Sequence, residues 1–428
     1  MLSVVAEINF SGVGPTPLVL DENGTLIPKA AEWLVHLKKE GRSPSLLHTR
    51  ALALSRFYDF FNRYSSELEG FDILRHFWKA LRDGDPNLRW KALGHRRAKQ
   101  LWASLNLFTD WVSDHEDKPN PNPLQPEKMK WHEFMVEQAR RCAGDMLAHL
   151  FPATQAGRGE KMKRKVDPTT ASQKRHPQQQ NQRHRAFSLD RYLTLLSEER
   201  NIRNVILWLL LGAGAARTSE ALHLFTCDVL FNPTEEIAEV RFVDPQSGPI
   251  ETQVLGKSVK MTRRDFLEKK YQLPARDNLS WRDTRWAGWK GMRMHDPETQ
   301  SSKVLWMHPI FGKMMWAAHT KYLEIRNAIA PGHPWYFVNL DHNVGAPLTR
   351  RNANGLLGDA CRRHAFPWPD FPHALRHMYG DVVSNLMGVD LHMVSVAMRH
   401  NSFLSTVTYT EPSVQTAHDA LARVQKKI

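Results

Sequence analysis

The chain has 428 residues, enough for two or three domains at roughly 150 residues each, and its 58 Lys and Arg against 45 Asp and Glu leave a formal charge of +13. That surplus favours a polyanionic partner, nucleic acid or an anionic membrane surface, while three scattered cysteines (Cys142, Cys227, Cys361) exclude a disulfide framework or a four-thiolate zinc site and read as reduced cytosolic thiols. The N-terminus has no basic residue ahead of its apolar stretch, and the longest apolar run, Val205 to Ala216, is 12 residues where a membrane span needs about 20, so a soluble protein without a membrane segment is expected.

Residues 1–29 read as an extension with two strand-like pieces, SVVAEINF and PLVL. From Ala30 the pattern is helical. AAEWLVHLKKEG closes at Gly41, and Ser43-Pro44 opens a second helix, with Ser as N-cap and Pro in the first turn. Leu47, Ala51, Leu54, Tyr58 and Phe61 give that helix one apolar stripe. Residues 95–112 and 128–151 repeat this character, so 30–151 is predicted to be a helical domain. Residues 152–186 read as a basic linker. Between 157 and 185, Arg158, Lys161, Lys163, Arg164, Lys165, Lys174, Arg175, Arg183 and Arg185 outweigh Glu160 and Asp167, with no apolar period, which predicts a mobile basic strap suited to a polyanion or, alternatively, a solvated disordered linker.

A larger domain is expected over 187–413, mainly α with a small β meander. Ser188 is a plausible N-cap, NIRNVILWLLLGAGAA a buried helix broken at Gly212 and Gly214, and Thr218 a cap for TSEALHLFTCDV. AEVRFVDP reads as a strand. WKGMRMHD and SKVLWMHP read as two more around the turn Asp296-Pro297-Glu298-Thr299. Helices follow to the end, including 414–428.

The chemistry-bearing residues sit late in the chain. His373 and Arg376 are three apart at a helix start, on one face. His400 lies nine residues before Tyr409, and upstream Arg217 is followed by Glu220. A guanidinium binds phosphate through two parallel N–H···O bonds and does not titrate. Two of them could hold a phosphodiester and stabilise a five-coordinate transition state. A phenol can attack phosphorus once a base such as imidazole takes its proton. The set needs no metal. His373 and His377 have metal-ligand spacing, but Ala374 stands where a zincin acid would be. Trp281, Trp286, Trp289, Trp306, Trp316 and Trp335 read as core and interface packing rather than base-stacking platforms.

AARTSEALHL, HALRH and RHNSFLSTVTYT together resemble the signature blocks of the tyrosine recombinase (phage integrase) family: Arg-x-Ser-Glu, His-x-x-Arg, then a His followed nine residues later by Tyr. The resemblance spans about 187–415, with 30–151 similar to the family's helical core-binding domain. It implies a SAM-like core-binding domain joined to a DNA breaking-rejoining catalytic domain, clamped around double-stranded DNA. It also implies that Arg217 and Arg376 hold the scissile phosphate and His373 accepts the tyrosine proton. His400 would donate to a non-bridging oxygen, Tyr409 form a 3′-phosphotyrosine, and Glu220 support them. The family's lysine is placed first at Lys290, second at Lys303 and distantly at Lys257. Arg399 stands where the family has Gly, and there either alters the turn or adds a phosphate contact. Residues 250–288, with Arg263, Arg264, Lys269 and Lys270, look like an insertion that contacts DNA.

The resemblance further implies a monomer or weak oligomer that becomes a homo-tetramer on DNA, with residues 414–428 docking on a neighbouring protomer. It implies no cofactor and no ATP, and a bacterial, cytoplasmic, nucleoid-associated protein of a mobile element. More faintly, WKGMRMHDPETQSSK resembles the recombinase of gamma-mobile-trio elements. The alternative is a catalytically altered DNA-binding accessory protein or repressor on the same scaffold.

Overall fold

The computed structural model describes residues 2–10, 14–128, 160–168, 186–254, 256–280, 282–367, 370–402 and 405–406. Tyr409, Arg158, Lys174, Arg175, Arg183, Arg185, Cys142, Trp281 and the expected helices at 128–151 and 414–428 lie outside the described residues, all but Lys128 of the first helix included. The chain divides into two compact units, Met1–Asn181 and Gln182–Ile428.

The first unit opens with an antiparallel hairpin, β1 (Val4–Phe10) and β2 (Gly14–Leu20), whose Leu18 and Val19 are wholly buried. Helices α1 (Pro28–Lys39), α2 (Pro44–Tyr64), α3 (Phe71–Asp83) and α4 (His95–Glu116) follow. The Leu46 amide donates to the Ser43 hydroxyl and Pro44 occupies the first turn of α2, as its sequence predicts. The stripe on α2 holds through Leu54 and then rotates by a residue. Phe60 is inside at 2% exposure and Phe61 is 46% exposed, because Phe60 meets Phe77 of α3 at 5.5 Å.

The described part of the expected strap belongs to this unit, which corrects the linker reading for residues 160–168. β4 (Glu160–Arg164) pairs antiparallel with β3 (Leu124–Lys128), and Val166 enters the core. Asn122, buried, holds Val166 by both its backbone groups: its amide nitrogen donates to the carbonyl at 3.0 Å and its oxygen accepts from the N–H at 2.8 Å. Three of the cations expected on DNA have partners at home. Arg164 pairs with Asp110 of α4 and donates to the Asn122 carbonyl at 2.8 Å, Lys163 lies 3.1 Å from Glu127, and the Lys165 ammonium sits 4.0 Å from the centre of the Phe71 ring.

The second unit begins with α5 (Leu189–Glu198) and α6 (Ile202–Trp208), which runs into one wide π turn, Leu209–Ala213. The break predicted at the glycines is real and falls at Gly214 and Ala215, the latter with a φ of 50°. A Cβ on Gly212 would clash with the Tyr192 ring, so close packing there requires glycine. The Tyr192 hydroxyl donates to the Trp208 carbonyl and accepts from the Ala213 amide, filling the gap in the helical ladder. Then come α7 (Thr218–Leu222), β5 (Val229–Asn232), β6 (Ile237–Val243), the hairpin β7 (Pro249–Val254) and β8 (Lys257–Thr262), and α8 (Arg263–Tyr271). β9 (Ser301–Lys303) completes a β5-β6-β9 antiparallel sheet. Helices α9 (Pro309–Ile329), α10 (Arg350–Arg363), α11 (Pro372–Asp381) and α12 (Leu391–Ala397) surround the buried run. WKGMRMHD is not a strand: Gly288 and Gly291 take φ of 59° and 69°, which breaks the extended chain.

Residues 250–288 pack through Phe266, Leu267 and Ala275 against Phe225 and Trp335 from outside the segment, in a small separate core. Arg263, expected at DNA, is instead 2% exposed and makes a two-pronged pair with buried Asp228, because the insertion needs a polar tie to the residues before β5. Among the described residues no helix is long and apolar enough to cross a membrane. Removing one partner of a buried pair strands the other's charge. Asp228→Ala should therefore cost about 3–5 kcal/mol in denaturant unfolding, and adding Arg263→Met should recover part of the loss.

Candidate functional site

The site starts at the break after the π turn. Arg217 is the N-cap of α7, one residue earlier than the Thr218 predicted from sequence. Its backbone N–H donates to Glu220 Oε2 at 2.9 Å, and its guanidinium donates to Oε1 at 2.5 Å. A glutamate at the third helical position thus satisfies the N-cap amide and aims the N-cap side chain together. Arg376, on α11, and Arg399, just past α12, reach the same carboxylate at 3.7 and 3.6 Å.

Three guanidinium groups share one carboxylate that is 3% exposed. Burial alone raises the pKa of Glu220, but Arg376, Arg399, Arg217 and the Arg217 amide outweigh it and hold the carboxyl below its ordinary range. The cluster keeps a net positive excess. Arg376 and Arg399 are themselves wholly buried and tied to backbone. Arg376 donates to the Ala215 carbonyl and, at 2.5 Å, to that of Met398. Arg399 donates to Gly214 at 3.0 Å and Ala215 at 2.7 Å. Arg217 is the open member, its side chain 20% exposed.

Two imidazoles stand at this cluster. His400 is 2% exposed, with Nδ1 2.9 Å from the Thr406 hydroxyl. Burial, then Arg376, Arg217 and Arg399, push its pKa down to about 3. His373, exposed at the start of α11, meets the buried His377 ring edge-on at 5.1 Å. Packing of its ring, and the neighbours His377, Arg376, Arg217 and Lys290, lower its pKa as well. Among the described residues no group of three or more His, Cys, Asp or Glu could hold a metal ion.

The structure brings together Arg217, Glu220, Arg376, His373 and His400, and it separates the candidate lysines. Lys290 is exposed beside Gly291, whose carbonyl accepts from Arg217 at 3.4 Å. Lys303 instead pairs with Glu239 at 2.9 Å across the β6–β9 ladder. Lys257 stands at the turn of the β7–β8 hairpin. Arg399 keeps the turn rather than altering it. Its Nη groups bond to carbonyls, and its φ of 58° is the left-handed geometry that glycine would supply. Its part in holding Glu220 had no signal in the spacing.

The folded carboxyl of Glu220 is depressed below its ordinary value of 4.5. Its contribution to stability is present in full above that value and is lost as pH falls through the depressed one. Glu220→Gln should unfold more easily than wild type by about 3–5 kcal/mol near neutrality, and the gap should narrow in acid, as followed by thermal unfolding across pH.

No family model and no curated protein sequence matches the chain. Solved structures do match. The XerH site-specific recombinase bound to a palindromic difH substrate, post-cleavage, aligns over 94% of this chain and 85% of its own at 13% identity and a TM-score of 0.52. The pre-cleavage XerH complex aligns over 93% and 85% at 13% identity with a TM-score of 0.47. The Tn1549 transposon integrase with transposon right end DNA aligns over 87% and 99% at 12% identity with a TM-score of 0.39. Mainly helical with small antiparallel sheets, the chain shares the fold of the XerH site-specific recombinase.

Proposed function

We propose that the protein is a site-specific DNA recombinase that cleaves and rejoins double-stranded DNA through a 3′-phosphotyrosine, serving integration or excision of a mobile element. The observation that carries this reading is the Arg217–Glu220–Arg376 cluster with its positive excess, flanked by the His373 and His400 imidazoles. An anion is the complement of such a site, and a phosphodiester is the anion whose transition state gains further charge there. Arg217, being open, meets the phosphate, while Arg376 holds the framework and faces it from beneath.

In the first half-reaction Tyr409 Oη bonds to phosphorus as the P–O5′ bond breaks. His373 takes the phenolic proton, His400 faces a non-bridging oxygen, and Lys290 protonates the departing 5′ oxygen. The second half reverses each transfer with a new 5′ hydroxyl, and the tyrosyl ester keeps the bond energy, so no ATP is required. Affinity comes mostly from Lys and Arg on phosphates and so falls steeply with salt. Four protomers acting on two sites would exchange strands pairwise.

A pool of randomised duplexes, each nicked so that the cleaved end is lost, tests the reading by capture of protein–DNA adducts that survive denaturing gels. Wild type should give adducts and thereby reveal its site, whereas Tyr409→Phe should bind that site and give none. Tight binding by wild type without adduct would instead support the accessory or repressor reading. On the recovered site, Lys290→Ala should slow cleavage by roughly 10²–10⁴-fold while Lys303→Ala stays near wild type. The reverse order would assign the acid to Lys303.

A further inference from the structure

Lys290 lies outside any strand, yet its segment is held at two points by the block that begins at Arg217. On one side the Gly291 carbonyl accepts from the Arg217 guanidinium at 3.4 Å. On the other, the Gly288 carbonyl lies 3.1 Å from Nε2 of His223. His223 is the C-cap residue of α7 and is 3% exposed. Its ring also meets the Trp289 ring edge-on, centroids 5.4 Å apart at 89°. Gly288 and Gly291 both take positive φ, so they bracket Trp289 and Lys290 as a short bulged segment pinned at each end.

The chemistry of the pin is unambiguous. A carbonyl only accepts, so Nε2 carries the proton and donates. Burial and the nearby Arg276 push the imidazole down to about 3, although the bond to Gly288 raises it, so the ring stays neutral and the pin holds across the working pH range. A buried ring bonded to a backbone carbonyl has no reach to substrate.

We infer that His223 is a positioning residue for the general acid: by holding the Gly288 carbonyl and the Trp289 ring, it fixes the backbone of Lys290 in register with Arg217. This rests on the recombinase reading. The physical need is plain. A lysine side chain has four rotatable bonds, and proton transfer requires its ammonium within about 3 Å of the leaving oxygen. Anchoring its backbone to the same five-residue helix that presents the phosphate-binding Arg217 removes one large source of that uncertainty.

The test uses the full chain and the duplex recovered by adduct capture, made with either oxygen or sulfur at the 5′ bridging position of the scissile bond. A thiolate leaves without a proton, so a fault in the general acid disappears on the sulfur substrate. His223→Phe keeps a ring against Trp289 and loses the donor. It should cleave the oxygen substrate roughly tenfold or more slowly and the sulfur substrate at the wild-type rate, with DNA binding unchanged. Combined with Lys290→Ala it should add no further loss on oxygen. His223→Gln, whose amide can still donate, should recover most of the rate and guards against a variant that fails to fold. Equal loss on both substrates, or loss on neither, overturns the inference. Wild type that cleaves neither duplex overturns the recombinase reading instead.

Discussion

One buried carboxylate organises the second unit. Glu220 draws its neighbour Arg217 and the distant Arg376 and Arg399, more than 150 residues further along the chain, to a single point. Like charges so close repel strongly where water is scarce, so without the carboxylate the guanidiniums would be driven apart. With it, their mutual positions are fixed and a positive excess remains. The arrangement holds the fold, and its surplus of positive charge is what the recombinase proposal rests on.

Backbone carbonyls complete the device. The π turn and the left-handed Ala215 expose the Gly214 and Ala215 carbonyls, which take N–H donors from Arg376 and Arg399. Those carbonyls serve as acceptors where the helix stops, at Gly214 and the left-handed Ala215, and the Tyr192 hydroxyl spans the gap in the ladder one turn earlier. A core side chain and a backbone break together set the hydrogen-bonding pattern at the site. The same economy runs through α7, five residues long, whose N-cap presents Arg217 and whose C-cap presents His223, so that both ends of one helical turn govern the Lys290 segment.

The rest of the charge tells a different story. A net +13 suggests cations waiting for DNA, yet several of the best candidates are occupied. Arg164 and Arg263 serve buried or half-buried ion pairs, and Arg276 donates to three carbonyls at 2.8 Å each. A guanidinium offers five donors in a flat fork, which suits it to tying loops together where no side-chain acceptor is near. Counting arginines therefore overstates the charge that can reach a phosphate.

The sequence alone carried the helical character of residues 30–116, the Ser43 cap, the break at Gly212–Gly214, and the order Arg217, His373, Arg376, His400. Each is a local pattern or a spacing, and local patterns survive in one dimension. It could not separate Lys290 from Lys303, because the difference is a partner: Glu239 lies beside one, and the Arg217 block beside the other. Nor could it tell that Arg399 replaces a glycine in left-handed geometry by anchoring its own side chain, that residues 160–168 return to the first unit as a strand, or that Gly288 and Gly291 bend the chain into and within WKGMRMHD. These depend on which groups meet across distant segments, and only the folded chain decides where a charge finds its counter-charge and a carbonyl its donor.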